Sequence, residues 1–347
     1  ELGGAHTAES VAAQLDADAM RLTNGLCTGT DRPKLSVSPM RPEDFGILVP
    51  YGLVVGNHVT PIDHQYFSPR DRSSALDAYE VRAMADATVA EIQARRFPSG
   101  PKTVEYRIHF AMSCKLIYYY DLVTVLAPKL QEAFDQRRMG FPVKAGEVIG
   151  RIGGQTLDFA LWDMDVVLPG LLVREHYAYE PWKVHTVDPL PYYTDDLRAL
   201  ILSRSVRTAE PISGKIDHDR DGRAIGNWFV EGTNGYGGLA QATYWRGHLA
   251  IAPNLYDPTY TIVSLGDFGG TEAQYAIRGN RPDPAEVGVG TGLVRYELVS
   301  WEYLAPDGSR WDRASLIKGP RVIESGPIRG CLLVQMLEAR RMKAQAF

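Results

Sequence analysis

The stretch Val104-Glu-Tyr-Arg-Ile-His-Phe alternates in character from one residue to the next, the pattern of a strand with one buried face. This feature constrains the chain most, because short apolar or alternating runs follow one another with turn residues between them. They stand at residues 47–55, 79–93, 104–110, 115–120, 143–150 and 156–162. Past Gly214 come 227–230, 242–252, 260–265, 274–278, 293–303 and 331–342. The 33 glycines and 22 prolines supply the breaks between them. Short strands joined by tight turns pair antiparallel, so the expected class is mainly β, built as small barrels or sandwiches. Helical spacing is confined to residues 10–22, 121–137 and 194–204, the last with Thr194 as its cap and Asp195 and Asp196 in its first turn.

A chain of 347 residues is long enough for two domains at roughly 150 residues each. The pattern divides it into an N-terminal helix and connector (1–40), a β domain (41–165), an aromatic and proline-rich connector (166–210) and a C-terminal antiparallel barrel or sandwich (211–347). Lysines and arginines number 37 against 42 acidic residues, which leaves no basic excess for wrapping nucleic acid. No apolar run approaches the roughly 20 residues of a membrane helix, so no span is expected. Cys27, Cys114 and Cys331 form no C-x-x-C pair, and three thiols admit either one disulfide with one thiol over or three free thiols. The chain starts at Glu1 without methionine, and its small polar opening residues fit the mature end of an exported protein, secreted or periplasmic.

Within residues 47–163, four pieces resemble in order the lysostaphin-type zinc peptidases. Val143-Lys-Ala-Gly-Glu-Val-Ile-Gly-Arg-Ile-Gly-Gly is similar to that family's V-x-x-G-x-x-I-G-x-x-G hairpin. Gly56-Asn-His-Val-Thr-Pro-Ile-Asp-His resembles its first metal motif, the run from Tyr79 to Ile92 its strand–turn–strand, and Ile117-Tyr-Tyr-Tyr-Asp-Leu its Y-x-H-L strand end. The resemblance implies a duplicated-hybrid-motif β-barrel or sandwich for the first domain. It also implies that His58 and Asp63 are ligands to zinc or another divalent metal, one residue further apart than usual in the family. Where the family's H-x-H should stand, the chain has Thr156-Leu157-Asp158, and where the histidine of Y-x-H-L should stand it has Asp121. Asp158 thus takes the third ligand position, with His64 able to replace it, and both catalytic imidazoles at the matched positions are gone.

Two carboxylates and one imidazole make a harder, more oxygen-rich site than the family's, and the two negative charges blunt the metal as a Lewis acid. Two functions follow. One is an exported metal-dependent hydrolase with a remodelled site, in which a metal-bound water attacks a peptide or other acyl substrate and Asp121, His64 or a connector histidine moves protons. The other is a non-catalytic ligand- or envelope-binding protein with a degenerate peptidase site. His109, His176 and His185 read as a strand histidine and two connector histidines.

Asp217-His-Asp-Arg-Asp-Gly222 matches the D-x-D-x-D-G front of a calcium loop, which makes Asp217, Asp219 and Asp221 candidate calcium ligands. Its twelfth position holds Trp228 in place of the bidentate glutamate. Gly226-Asn-Trp-Phe resembles the G-x-W of lipocalin barrels, which implies a Trp closing one end of a barrel and an enclosed apolar ligand. Without a strand-to-helix setting, the glycine-rich pieces at 232–238 and 288–292 are hairpin turns rather than phosphate loops.

Overall fold

The computed structural model describes residues 17–96 and 104–347. It is mainly β and forms two compact units whose segments interleave along the chain. The first unit takes in residues up to 48, 65–167 and 185–204; the second takes in 49–64, 168–184 and 205–347. The two are therefore not consecutive stretches of chain. Residues 49–64, expected inside the first domain, belong to the second unit, and the aromatic connector is divided between the two.

The first unit holds a seven-stranded sheet in the order β1 (Phe45–Val49), β2 (Gln65–Pro69), β10 (Leu157–Asp163), β6 (Leu116–Val123), β5 (Val104–Ala111), β4 (Ala87–Arg96) and β8 (Phe141–Val143). A three-stranded sheet joins β3 (Tyr79–Arg82), β9 (Val148–Ile152) and β7 (Val125–Leu126). The central strands β6 and β10 are almost wholly buried, which is why neither shows clean alternation. Large rings pair across them: Phe110 stacks on Tyr118 at 4.7 Å and Tyr119 on Trp162 at 4.9 Å between centroids. Gly150 in the family-like hairpin is required sterically, since a Cβ there would lie 2.6 Å from the Val125 carbonyl oxygen. Cys27 and Cys114 are joined in a disulfide, and Cys331 is a buried free thiol.

The helix expected over residues 121–137 is shorter. Strand β6 runs on to Val123, β7 follows, and the helix spans only Pro128–Asp135. β-branched Val123, Thr124 and Val125 favour extended backbone, and Pro128 starts the helix because it lacks an N–H and holds Ala127 extended. The helix expected at 194–204 is present as Asp195–Arg204. Of the helix expected at 10–22, residues 17–23 are helical and the rest lies outside the described residues.

The second unit is built on a meander in which sequence neighbours are spatial neighbours. It runs β11 (Gly226–Phe229), β12 (His248–Pro253), β13 (Thr261–Phe268), β14 (Thr271–Ile277), β15 (Val294–Leu304), β16 (Arg321–Glu338) and β17 (Arg341–Ala346). Residues 242–247, expected at the head of a strand, instead form 3-10 turns before β12. The run expected at 331–342 is the end of β16 and its turn into β17. Laid flat, seven strands would hold β11 and β17 roughly 29 Å apart. Yet Trp228 of β11 and Met342 and Ala346 of β17 pack on one core with Ile251, Val263, Tyr296 and Val334. The Arg340 guanidinium, in the β16–β17 turn, lies 4.3 Å over the Trp228 ring. The sheet therefore curls until its ends approach each other.

Candidate functional site

His58, Asp63 and His64 lie together in the second unit. Their segment is a small hairpin: Val55 and His58 exchange backbone bonds of 3.1 and 3.0 Å, with Gly56 at a φ of 53° in the turn. The Gln274 side-chain amide pins it, accepting from the Gly56 N–H at 3.1 Å and donating to the Gly56 carbonyl at 2.9 Å. The His58 and His64 rings meet edge-on at 6.1 Å, and His64 Nδ1 stands 3.4 Å from Asp63 Oδ1.

Asp63 is buried, and its principal partner is a cation of the chain itself. Lys183 Nζ lies 2.9 Å from Asp63 Oδ1, and Trp182 Nε1 donates to Asp63 Oδ2 at 2.9 Å. A 3-10 helix, Pro181–His185, delivers both side chains. Lys183, itself buried, also meets Glu180 Oε2 at 3.1 Å and lies 4.3 Å over the Tyr236 ring. Burial alone would push the Asp63 carboxyl up, but Lys183 and His64 outweigh it and hold the group well below the usual range. Burial would likewise lower Lys183, and Asp63 and Glu180 together raise it. The pair stays charged at neutral pH. Beside it, burial and the nearby ammonium lower His248 to about 4, and its Nε2 is 3.1 Å from the Tyr236 carbonyl.

Asp121 and Asp158 belong to the first unit, where they face each other as register partners on β6 and β10. Asp121 is clamped by two arginines: Arg107 donates to its Oδ2 through Nε at 3.0 Å and through a terminal nitrogen at 2.8 Å, and Arg95 donates to the same oxygen. Its other oxygen accepts the Leu122 N–H at 2.9 Å. Glu105 is buried nearby; burial raises its pKa, Gln155 opposes this, and the Asp158 charge adds to the rise. The expected proton-transfer carboxylate thus carries a double arginine clamp, the geometry of a structural ion pair.

The acidic turn at 217–221 is occupied by its own chain. Asp217 accepts the Gly170 N–H at 3.0 Å and lies 3.3 Å from Lys215 Nζ. Asp219 accepts from the N–H groups of Leu172 and Asn227 and from Arg340. Gly226, at a φ of 124°, makes room for it, since a Cβ there would sit 2.3 Å from Asp219 Oδ1. Asp221 is exposed.

The donor sets do not suit a metal. Among the described residues, no three His, Cys, Asp or Glu side chains converge as ligands. Asp63, the central expected ligand, already faces an ammonium that would repel a second cation. Sequence reasoning missed Lys183, Trp182, Arg95, Arg107 and Arg340. The one available signal for Lys183 was a lone lysine in the apolar and aromatic run Pro181-Trp-Lys-Val, where a charge needs a buried partner.

Two cavities belong to the second unit. One of about 250 Å3 is lined by Val54, Asn254, Trp301, Tyr303 and Arg313, among others. A larger cleft of about 1100 Å3 runs between the β11 end of the curled sheet and β17. Trp228 is on its wall and also packs on the core of the curled sheet.

No protein-family model matches this chain, and no curated protein matches it. Among solved structures it is similar to Helicobacter pylori Csd3, with a TM-score of 0.28 and 16% identity over 49% of this chain and 40% of that one. The chain spans under half the length of that structure.

Proposed function

We propose that this chain is a non-catalytic ligand- or envelope-binding protein whose peptidase-like motif has become an internal ion-pair site. The observation that carries this reading is the Lys183 ammonium 2.9 Å from Asp63 Oδ1, with both groups buried. A lysine held protonated serves neither as a base nor as a metal ligand, and it supplies the positive charge that a divalent ion would otherwise bring. The arginine clamp on Asp121 removes the second carboxylate available for proton transfer in the same way. The cavities of the second unit provide room for a ligand. Export is part of the proposal and is supported by the Cys27–Cys114 disulfide, a bond that persists in oxidising compartments.

Elemental analysis after zinc loading and gel filtration tests this, with wild type beside His58→Ala. Substoichiometric zinc, equal in the two proteins, and no cleavage of glycine-rich peptides are expected. Stoichiometric zinc that disappears in His58→Ala, together with peptide cleavage, would overturn the proposal in favour of the hydrolase.

A further inference from the structure

We infer that the outer edge of β17 is a docking site for an extended peptide whose side chains alternate acidic and apolar. This deepens the reading of the chain as a binding protein and rests on it. A cleft over the face of a strand is lined by every second residue, because side chains alternate. The large cleft is instead lined by all six residues of β17 in succession, and by residues 228–231 on the other side. Residues of β16 such as Leu332 and Leu333 line it too, so the cleft takes in the edge of β17, where backbone groups are presented, together with part of the sheet face.

The ladder parity says which groups these are. Cys331 and Phe347 exchange backbone bonds of 2.8 and 3.1 Å, so by alternation Gln345 and Lys343 also direct their N–H and C=O groups toward β16. Met342, Ala344 and Ala346 then direct theirs away from β16, into the cleft. Among the described residues β17 has no strand on that side. The opposite edge is partly closed, since the Asn227 N–H is taken by Asp219 and the Asn227 carbonyl by Arg340. The edge of β17 has no proline, and the one irregularity of its ladder lies at its start, where Leu337 of β16 is the extra residue opposite Arg341 and Met342.

The same parity sets the ligand's chemistry. On one face of β17 stand the exposed Lys343 and Arg341, the latter ion-paired with Glu231 at 3.3 Å and Glu338 at 3.8 Å, so Lys343 and Arg246, which also lines the cleft, are the cations left for a ligand. A strand added to β17 places alternate side chains beside them, where carboxylates are favoured. On its other face Met342 and Ala346 turn toward the core, and Leu249 and Leu265 line the cleft, so the intervening side chains of the ligand meet apolar surface.

The test uses the full chain and a fluorescein-labelled peptide of about eight residues alternating glutamate and valine, a length that covers the roughly 20 Å of β17. Hydrogen exchange should show the Met342, Ala344 and Ala346 amides gaining protection on binding, while those of Lys343 and Gln345 are unchanged. A peptide with lysine in place of glutamate should bind more weakly. Ala344→Pro, which removes an outward N–H and leaves the β16 ladder intact, should weaken binding about tenfold or more. Lys343→Glu should weaken it by roughly two- to fivefold. The proposal is overturned if the peptide does not bind at millimolar concentration, if the lysine peptide binds equally well, or if protection is spread evenly along β17. A concentration-dependent dimer abolished by Ala344→Pro would assign the edge to a second copy and overturn it too. Zinc content and peptide binding are read separately, so this inference and the reading it rests on can fail independently.

Discussion

Replacing Lys183 by methionine keeps an unbranched apolar stem and removes the ammonium group with its charge and its N–H donors. The Lys183 side chain is 6% exposed and that of Asp63 7%, so water cannot take the ammonium's place without rearrangement. Asp63 would keep the Trp182 N–H and the His64 contact but lose its nearest cation. A buried charge stripped of its partner costs about 3–5 kcal/mol. For a domain of this size that is roughly 6–20 °C in Tm. Asp63→Asn should cost less, because Lys183 keeps Glu180 at 3.1 Å and the Tyr236 ring. The double variant should lose less than the sum of the two singles, the mark of a direct interaction. The pH dependence supplies a sign. In the wild type the folded-state Asp63 carboxyl is held below its unfolded value of about 3.9, so its contribution is present above that pH and is lost as pH falls through the folded value. In Lys183→Met burial dominates and pushes the carboxyl up. Its contribution is then present below the unfolded value and is lost as pH rises through the folded one. Urea unfolding from about pH 4 to 7 should therefore show the variant losing stability relative to wild type as pH rises. A loss under about 1 kcal/mol, or parallel pH profiles, would refute the charged-pair reasoning.

Other perturbations probe separate parts of the molecule. Asp121→Asn leaves the guanidiniums of Arg95 and Arg107 facing each other; because Arg95 is about one-third exposed, the cost should be about 1–3 kcal/mol, and a neutral result in chemical denaturation would show the clamp to be idle. Cys27→Ser with Cys114→Ser releases a cross-link spanning 87 residues and should lower stability by about 2–4 kcal/mol, with dithiothreitol giving the same loss in wild type and none in the variant. His248, lowered to about 4, folds neutral; its contribution is complete above its unfolded value near 6.5 and declines as pH falls toward 4, by up to about 3 kcal/mol. An NMR titration that finds its imidazole protonating near 6.5 would contradict that burial.

What the sequence made legible was the local pattern. Alternation located β5, and the turn glycines bracketed most strands of the meander, because both signals depend on residues adjacent in the chain. Asp195 and Asp196 marked the helix Asp195–Arg204 for the same reason. The helix expected from residue 121 failed where two local signals conflict. The three- and four-residue recurrence of Leu122, Val125, Leu126 and Leu130 suits a helix, but Pro128 and the β-branched Val123–Val125 suit a strand that ends before one, and the latter prevail.

The site was hidden for a different reason. A ligand triad can be sought by residue type, because histidines and carboxylates at fixed spacing announce themselves, and His58 and Asp63 do belong to one unit. The group that decides their chemistry is a lysine 120 positions later in the sequence than Asp63, in a stretch that reads only as an aromatic connector. The apolar neighbours of Lys183 hint at burial but do not name its partner, which is supplied only when residues 49–64 and 168–184 come together in one unit. The same holds for Arg95 and Arg107, which sit on β4 and β5, read singly as surface charges of half-buried strands, and converge on Asp121 only through the sheet order β6-β5-β4. On the proposed reading, a motif whose Asp63 and Asp121 have each acquired an internal cation keeps the outline of a metal site with altered electrostatics. Partner charge, rather than retained ligand identity, is therefore the feature on which the function of such a chain should be judged.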